Sequence, residues 1–274
     1  MDNQSKKEFN LGGSVERALT GQYELNTGSV LKEAWQKTIH HFLSFSPAIV
    51  GLLFIQLAIF YIALKLQLGD PSVILHIFTE PESFTQDIVQ AIFMANFSYE
   101  VISAPFFAGV SLMAMSHAAG IGTKLQDITK GLQFTVPVIL ATLFSLILQG
   151  ISGMVLPFIS MYLTLAFSHS ILLICEKRIT PMRSLLLSLR AVNKKIFTVA
   201  GIYAAVMMMF VVAAMFYGIG LIFVLPFFFH VKGILYREMF GIRLATVPND
   251  SSSNDDSDVH EDDSDNSDPK VFNA

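Results

Sequence analysis

From residue 42 to residue 64 the chain reads FLSFSPAIVGLLFIQLAIFYIAL, an apolar run of 23 residues without a charged side chain. About 20 such residues let a helix cross the hydrocarbon layer of a membrane. There the backbone finds no outside partners and must bond within the helix. Five further runs follow, and the expected spans are residues 42–64, 99–119, 133–150, 155–174, 197–217 and 220–236. The composition, 53% hydrophobic with 15% charged residues and a mean hydropathy of +0.55, excludes an ordinary soluble domain. The expected fold is therefore all-α, a polytopic membrane protein of six transmembrane helices. Short glycine-bearing breaks, QGISGM between the third and fourth runs and GIG between the fifth and sixth, predict antiparallel helical hairpins, three units in all.

Basic residues set the expected orientation, because cytoplasmic loops carry an excess of Lys and Arg. Of the 18 such residues only Lys65 falls on the outer side when both termini are cytoplasmic. The first apolar run begins after about 40 polar residues, too late for a cleavable signal peptide, so it is expected to stay as an anchor. The lone Cys175 excludes an intramolecular disulfide and a multi-cysteine metal site, and it reads as a packed thiol.

Three regions differ in character: a polar segment at 1–27, the membrane domain at 28–243 and an acidic tail at 244–274. From Asn249 the tail holds nine acids against Lys270, and without it the formal charge changes from −4 to +4. Such a segment cannot bury enough apolar surface to order itself, so disorder is expected. A calcium loop is excluded by the absence of the required glycine turn and terminal Glu at fixed spacing.

Two amphipathic stretches flank the spans. In TGSVLKEAWQKTIHHF, Leu31, Ala34, Trp35, Thr38 and Phe42 recur at helical spacing behind a cap at Thr27 or Ser29, with Lys32 and Lys37 on the rest of the wheel. In SLLLSLRAVNKK, Leu185, Leu189 and Val192 form the stripe, while Arg190, Lys194 and Lys195 can reach anionic phosphates. Both read as helices at the cytoplasmic interface that contact lipid headgroups.

A local repeat raises the question of chemistry. PFFAGVSLMAMSH, residues 105–117, and PFISMYLTLAFSH, residues 157–169, each open with Pro-Phe and close with Ser-His. A third Pro-Phe follows at Pro226-Phe227, and the position equivalent to the histidines in that unit is Glu238. Two imidazoles at similar depth could form a proton relay, a metal pair or a ligand contact. Two histidines without acids or cysteines at ligand spacing are a weak metal signal, and adjacent Ser and His point about 100° apart on a helix. The reading adopted for His117, His169 and Glu238 is packing or helix-to-helix bonding, with no catalytic residue, metal or cofactor assigned. Gln56, inside the first run, is expected to bond across helices.

The stretches SVLKEAWQKTIHHF, LPFISMYLTLAFSHSILLICEKRITPMRSLLLSLRAVNKKIFTVAGIY and LYREMFG resemble the YciC-like bacterial inner-membrane proteins. These belong with a wider six-span group that includes the membrane domain attached to some glycerophosphodiester phosphodiesterases. The similarity covers roughly residues 28–241. It implies a bacterial cytoplasmic membrane and transfers no catalytic residue, since no phosphodiesterase domain is present in this sequence. The expected function is a non-enzymatic envelope protein that organises lipid or a membrane-protein partner and binds no nucleic acid. The alternatives are a small-solute or lipid transporter with a pathway near His117 and His169 and, third, an intramembrane hydrolase.

Overall fold

The computed structural model describes residues 7–73 and 85–246. Strand β1 (Lys7–Leu11) leads into α1 (Val15–Thr20) and α2 (Thr27–His40), then into the long helices α3 (Phe42–Leu68) and α4 (Gln86–Ala118). A 3-10 segment, Leu125–Phe134, precedes α5 (Thr135–Val155), α6 (Pro157–Ala166), α7 (Ser170–Lys177) and α8 (Pro181–Lys194). Helices α9 (Ile196–Met215) and α10 (Leu221–Phe240) and strand β2 (Ile242–Thr246) complete the order.

Five helical stretches are long and apolar enough to cross a membrane: Phe42–Leu68, Gln86–Ala118, Leu125–Val155, Pro157–Lys177 and Ile196–Met215. The sixth expected span coincides with α10, which is not among them. It carries Lys232, Arg237 and Glu238 and buries most of its C-terminal half in protein. Exposed apolar side chains instead stud α3, α5, α6 and α9, where Phe54, Ile147, Met161 and Met208 face outward. Large apolar side chains left unburied over several helices are the surface expected of a chain solvated by lipid.

Local sequence accounts for the boundaries. Helix α2 is capped by Asn26, whose Oδ1 accepts the N–H of Ser29 at 3.1 Å, one position before the expected Thr27. Its buried stripe is Val30, Ala34 and Thr38, four residues apart, which leaves Trp35 partly exposed. Helices α3 and α4 pack antiparallel: Gln56 donates to Ser103 Oγ at 3.3 Å, and Phe60 meets Tyr99 edge-on. Small residues on α4, among them Ala95, Ala104, Ala108 and Ala114, bring its neighbours close. At Gly109 the approach is backbone to backbone, since a Cβ there would overlap the Ile128 carbonyl of the 3-10 segment.

Two turns differ from the sequence reading. The glycines of QGISGM lie inside α5, and the chain reverses at the single residue Leu156, before Pro157 at the first position of α6. A residue preceding proline is pushed into extended geometry, and proline is tolerated where a helix begins, so Leu156-Pro157 is the stronger stop. The fourth apolar run is also broken, between Ala166 and Ser170. Ser188 of α8 bridges the break: its hydroxyl donates to the Ala166 carbonyl at 2.6 Å and accepts the His169 N–H at 3.3 Å. The two Ser-His copies therefore sit differently. His117 closes the unbroken α4, whereas His169 lies in a break, at the cap of α7.

Strands β1 and β2 pair antiparallel, with Asn10 opposite Arg243. The segment expected to be merely polar thus contributes a strand, and residues 244–246 belong to its partner. The rest of the acidic tail lies outside the described residues. Hydrogen-bonded strands cannot lie on opposite faces of a bilayer. Any crossings between residues 11 and 242 are therefore even in number.

Two outcomes follow. In a background without Cys175, Asn10→Cys and Arg243→Cys, each alone, react with an impermeant thiol reagent from the same membrane face, as measured on sealed vesicles of known orientation. Gly109→Ala costs about 1–3 kcal/mol through overpacking, whereas Gly51→Ala, with open space around its Cβ position, stays within about 1 kcal/mol of the parent. Denaturant titration of helical circular dichroism in detergent distinguishes them.

Candidate functional site

Helices α2, α4 and α10 meet at a buried set of histidines. The expected His117 is there, but its partner is His230, not His169. The Pro226 carbonyl can only accept, so His230 donates to it from Nδ1 at 2.8 Å. His230 Nε2 then accepts from His117 Nδ1 at 3.0 Å, and His117 Nε2 accepts the Thr123 hydroxyl at 2.8 Å. Thr38 donates to the Ala34 carbonyl at 2.8 Å and lies 3.1 Å from His230 Nδ1, where it shares that donor. One direction of donation runs through the chain, and neutral imidazoles satisfy every link. His41 stacks on His117 with ring centroids 3.9 Å apart, and burial holds its imidazole below the usual histidine range. This arrangement ties α2, α4 and α10 together, with both ring nitrogens of His117 and of His230 engaged. No group of three or more His, Cys, Asp or Glu among the described residues is placed to hold a metal ion.

His169 belongs to another cluster. Its Nδ1 is 2.8 Å from Ser168 Oγ and its ring lies against Tyr236 and Phe240, while Nε2 is buried without a hydrogen-bond partner. Glu238, the third expected position, holds Arg237 at 2.6 Å. Arg237 also grips both carboxylate oxygens of Glu33, at 2.7 and 2.8 Å, and donates to the Ala118 carbonyl at the end of α4. The hydrogen bonds from Arg237 hold the Glu33 carboxyl below its usual range. The three positions singled out by the repeat thus occupy three separate environments.

The basic positions divide as well. Lys32, Arg190 and Lys194 are exposed, and Lys37 and Lys195 are half-buried. The Lys195 ammonium lies 5.2 Å above the ring of Tyr23, whose hydroxyl donates to the Ala191 carbonyl at 2.8 Å. Burial pushes that phenol up to about 12.

Two features escaped the sequence reading. The first is a cavity of about 460 Å³ between α3, α4, α9 and α10, lined by Leu52, Leu53, Phe107, Met207, Phe228, Phe229 and other apolar side chains, with Gln56 as the polar exception. The second is Lys232, 4% exposed, with its ammonium 4.3 Å above the ring of Phe107. No carboxylate pairs with it among the described residues. A signal for Lys232 did exist, since it interrupts the apolar run VLPFFFHVKGILY; the orientation rule counts it simply as a cytoplasmic charge. His230, four residues after Pro226, was likewise visible as a polar residue within that same run, away from the histidine position of the repeat.

Compared with protein-family models, with curated proteins and with solved structures, the chain matches none. The resemblance to YciC-like proteins therefore rests on the stretches that carry it.

Replacing His117 by Ala leaves the Thr123 hydroxyl and a buried nitrogen of His230 without partners. A loss of about 1–3 kcal/mol in folding stability is expected by denaturant titration. The Glu33 contribution has a defined sign. Its folded pKa lies below the unfolded value, so the stabilisation is full above that unfolded value. It is lost as pH falls through the folded one. Arg237→Gln flattens this part of the stability profile below about pH 4.5.

Proposed function

We propose that the protein is a non-catalytic integral membrane protein that holds and organises lipid, in a bacterial cytoplasmic membrane with both termini inside. The reading rests chiefly on the apolar cavity between α3 and α9. Its lip is open, with Leu53 43% and Met207 60% exposed. In a bilayer that opening meets acyl chains. The exposed Lys32, Arg190 and Lys194, with Lys37 and Lys195 beside them, then serve as contacts for anionic headgroups or for an acidic membrane partner. Under this reading α10 makes the sixth crossing, enclosed by α2, α4 and α9, and the even count demanded by the paired strands is met.

Protein purified in mild detergent retains phospholipid enriched in anionic species. Changing Arg190 and Lys194 to Gln lowers the ratio of anionic to zwitterionic lipid by severalfold, measured by mass spectrometry of extracted lipid. An unchanged ratio counts against headgroup binding by α8, and an absence of retained phospholipid in the parent protein counts against lipid holding altogether.

A further inference from the structure

A lysine shielded from water needs a counter-charge, because taking an ammonium out of water costs far more than an aromatic contact returns. Lys232 has the aromatic contact and, among the described residues, no carboxylate paired with it. Other polar groups nearby are also incompletely bonded. His169, 0% exposed with an unpartnered Nε2, stacks on Tyr236, one turn beyond Lys232 on α10. Ser111, one turn beyond Phe107 on α4, buries an unpartnered hydroxyl. Interiors pair buried polar groups, so a cation with two idle hydrogen-bonding side chains in one region is a place made for a ligand.

The same region adjoins the apolar cavity. Leu225, Phe229, Lys232 and Tyr236 follow one another along α10 at spacings of four, three and four, on one face of the helix. Leu225 and Phe229 line the cavity, and Lys232 is the next residue on that face. Phe107 belongs to both, since it lines the cavity and carries the ammonium over its ring. An apolar slot open to the bilayer at one end, with a positive charge beyond one aromatic side chain at the other, matches a molecule with one apolar chain and one anionic end. The volume, about 460 Å³, lies in the usual range for a site that holds one small ligand.

We infer that the cavity binds a single long-chain fatty acid, its chain between α3 and α9 and its carboxylate on Lys232, with Ser111 and His169 as further hydrogen-bond donors. This rests on the lipid-holding reading and names the ligand class for it. Phe107 turns aside to admit the headgroup, and the bound carboxylate supplies the missing counter-charge.

The test uses the full chain in detergent, with oleate and its uncharged methyl ester as probes and native mass spectrometry as readout. Oleate is expected to bind one to one and about tenfold or more tighter than methyl oleate, a difference that one buried charge pair supplies. Lys232→Met brings the two probes to within about twofold, Lys232→Arg keeps the preference for oleate, and Leu53→Trp, which fills the slot, weakens both. Equal binding of the two probes by the parent protein, or an unchanged preference in Lys232→Met, overturns the inference. If that happens while phospholipid is still retained, the fatty-acid assignment alone fails. If neither probe nor phospholipid is retained, the lipid-holding reading fails with it.

Discussion

The fold depends on keeping the C-terminal half of α10 out of lipid. This helix carries His230, Lys232, Arg237 and Glu238 within nine residues, and hydrocarbon offers none of them a partner. Helix α2 lies antiparallel along it, with Thr38 near His230 and Glu33 on Arg237. Helix α4 crosses it at Gly233, where a Cβ would press on the Ala114 backbone, and ends with its Ala118 carbonyl bound to Arg237. Helix α9 covers a third side through Ile202 and Val206. The helices with the most apolar exposure, α3, α5, α6 and α9, are then free to carry the lipid-facing surface.

Satisfaction of the polar groups divides this core into two halves. Both ring nitrogens of His117 and of His230 have partners, which makes that half a fastening between helices. Around Lys232 and His169 the bonds are incomplete, and the apolar cavity begins alongside. An ammonium with no carboxylate partner among the described residues would be an odd by-product of packing, because the fold provides carboxylates freely elsewhere. Buried Glu176, for example, receives Tyr236 at 2.7 Å and Lys177 at 3.0 Å.

Much of the architecture was legible in residue order. The five long helices follow from hydropathy alone, and α2 and α8 follow from apolar residues at helical spacing, with Lys32, Arg190 and Lys194 on exposed positions. Other features depend on tertiary partners. The break before His169 is hidden in a continuous apolar run, because Ser188, about 20 residues away, supplies the bonds that permit it. Two five-residue strands at opposite ends of the chain leave no periodic signal of their own. His117 and His169 look equivalent because the repeat records local sequence, whereas their environments come from α10: His230 for one, and Tyr236 with Phe240 for the other.

Protein, and not lipid, surrounds the C-terminal half of α10. A lipid-soluble photoreactive probe that inserts into any adjacent C–H bond tests it directly, with labelled residues located by peptide mass spectrometry in membranes. Labelling is expected on Phe54, Ile147 and Met208, with almost none between Val231 and Phe240. Labelling of that segment at the level of α9 would contradict it.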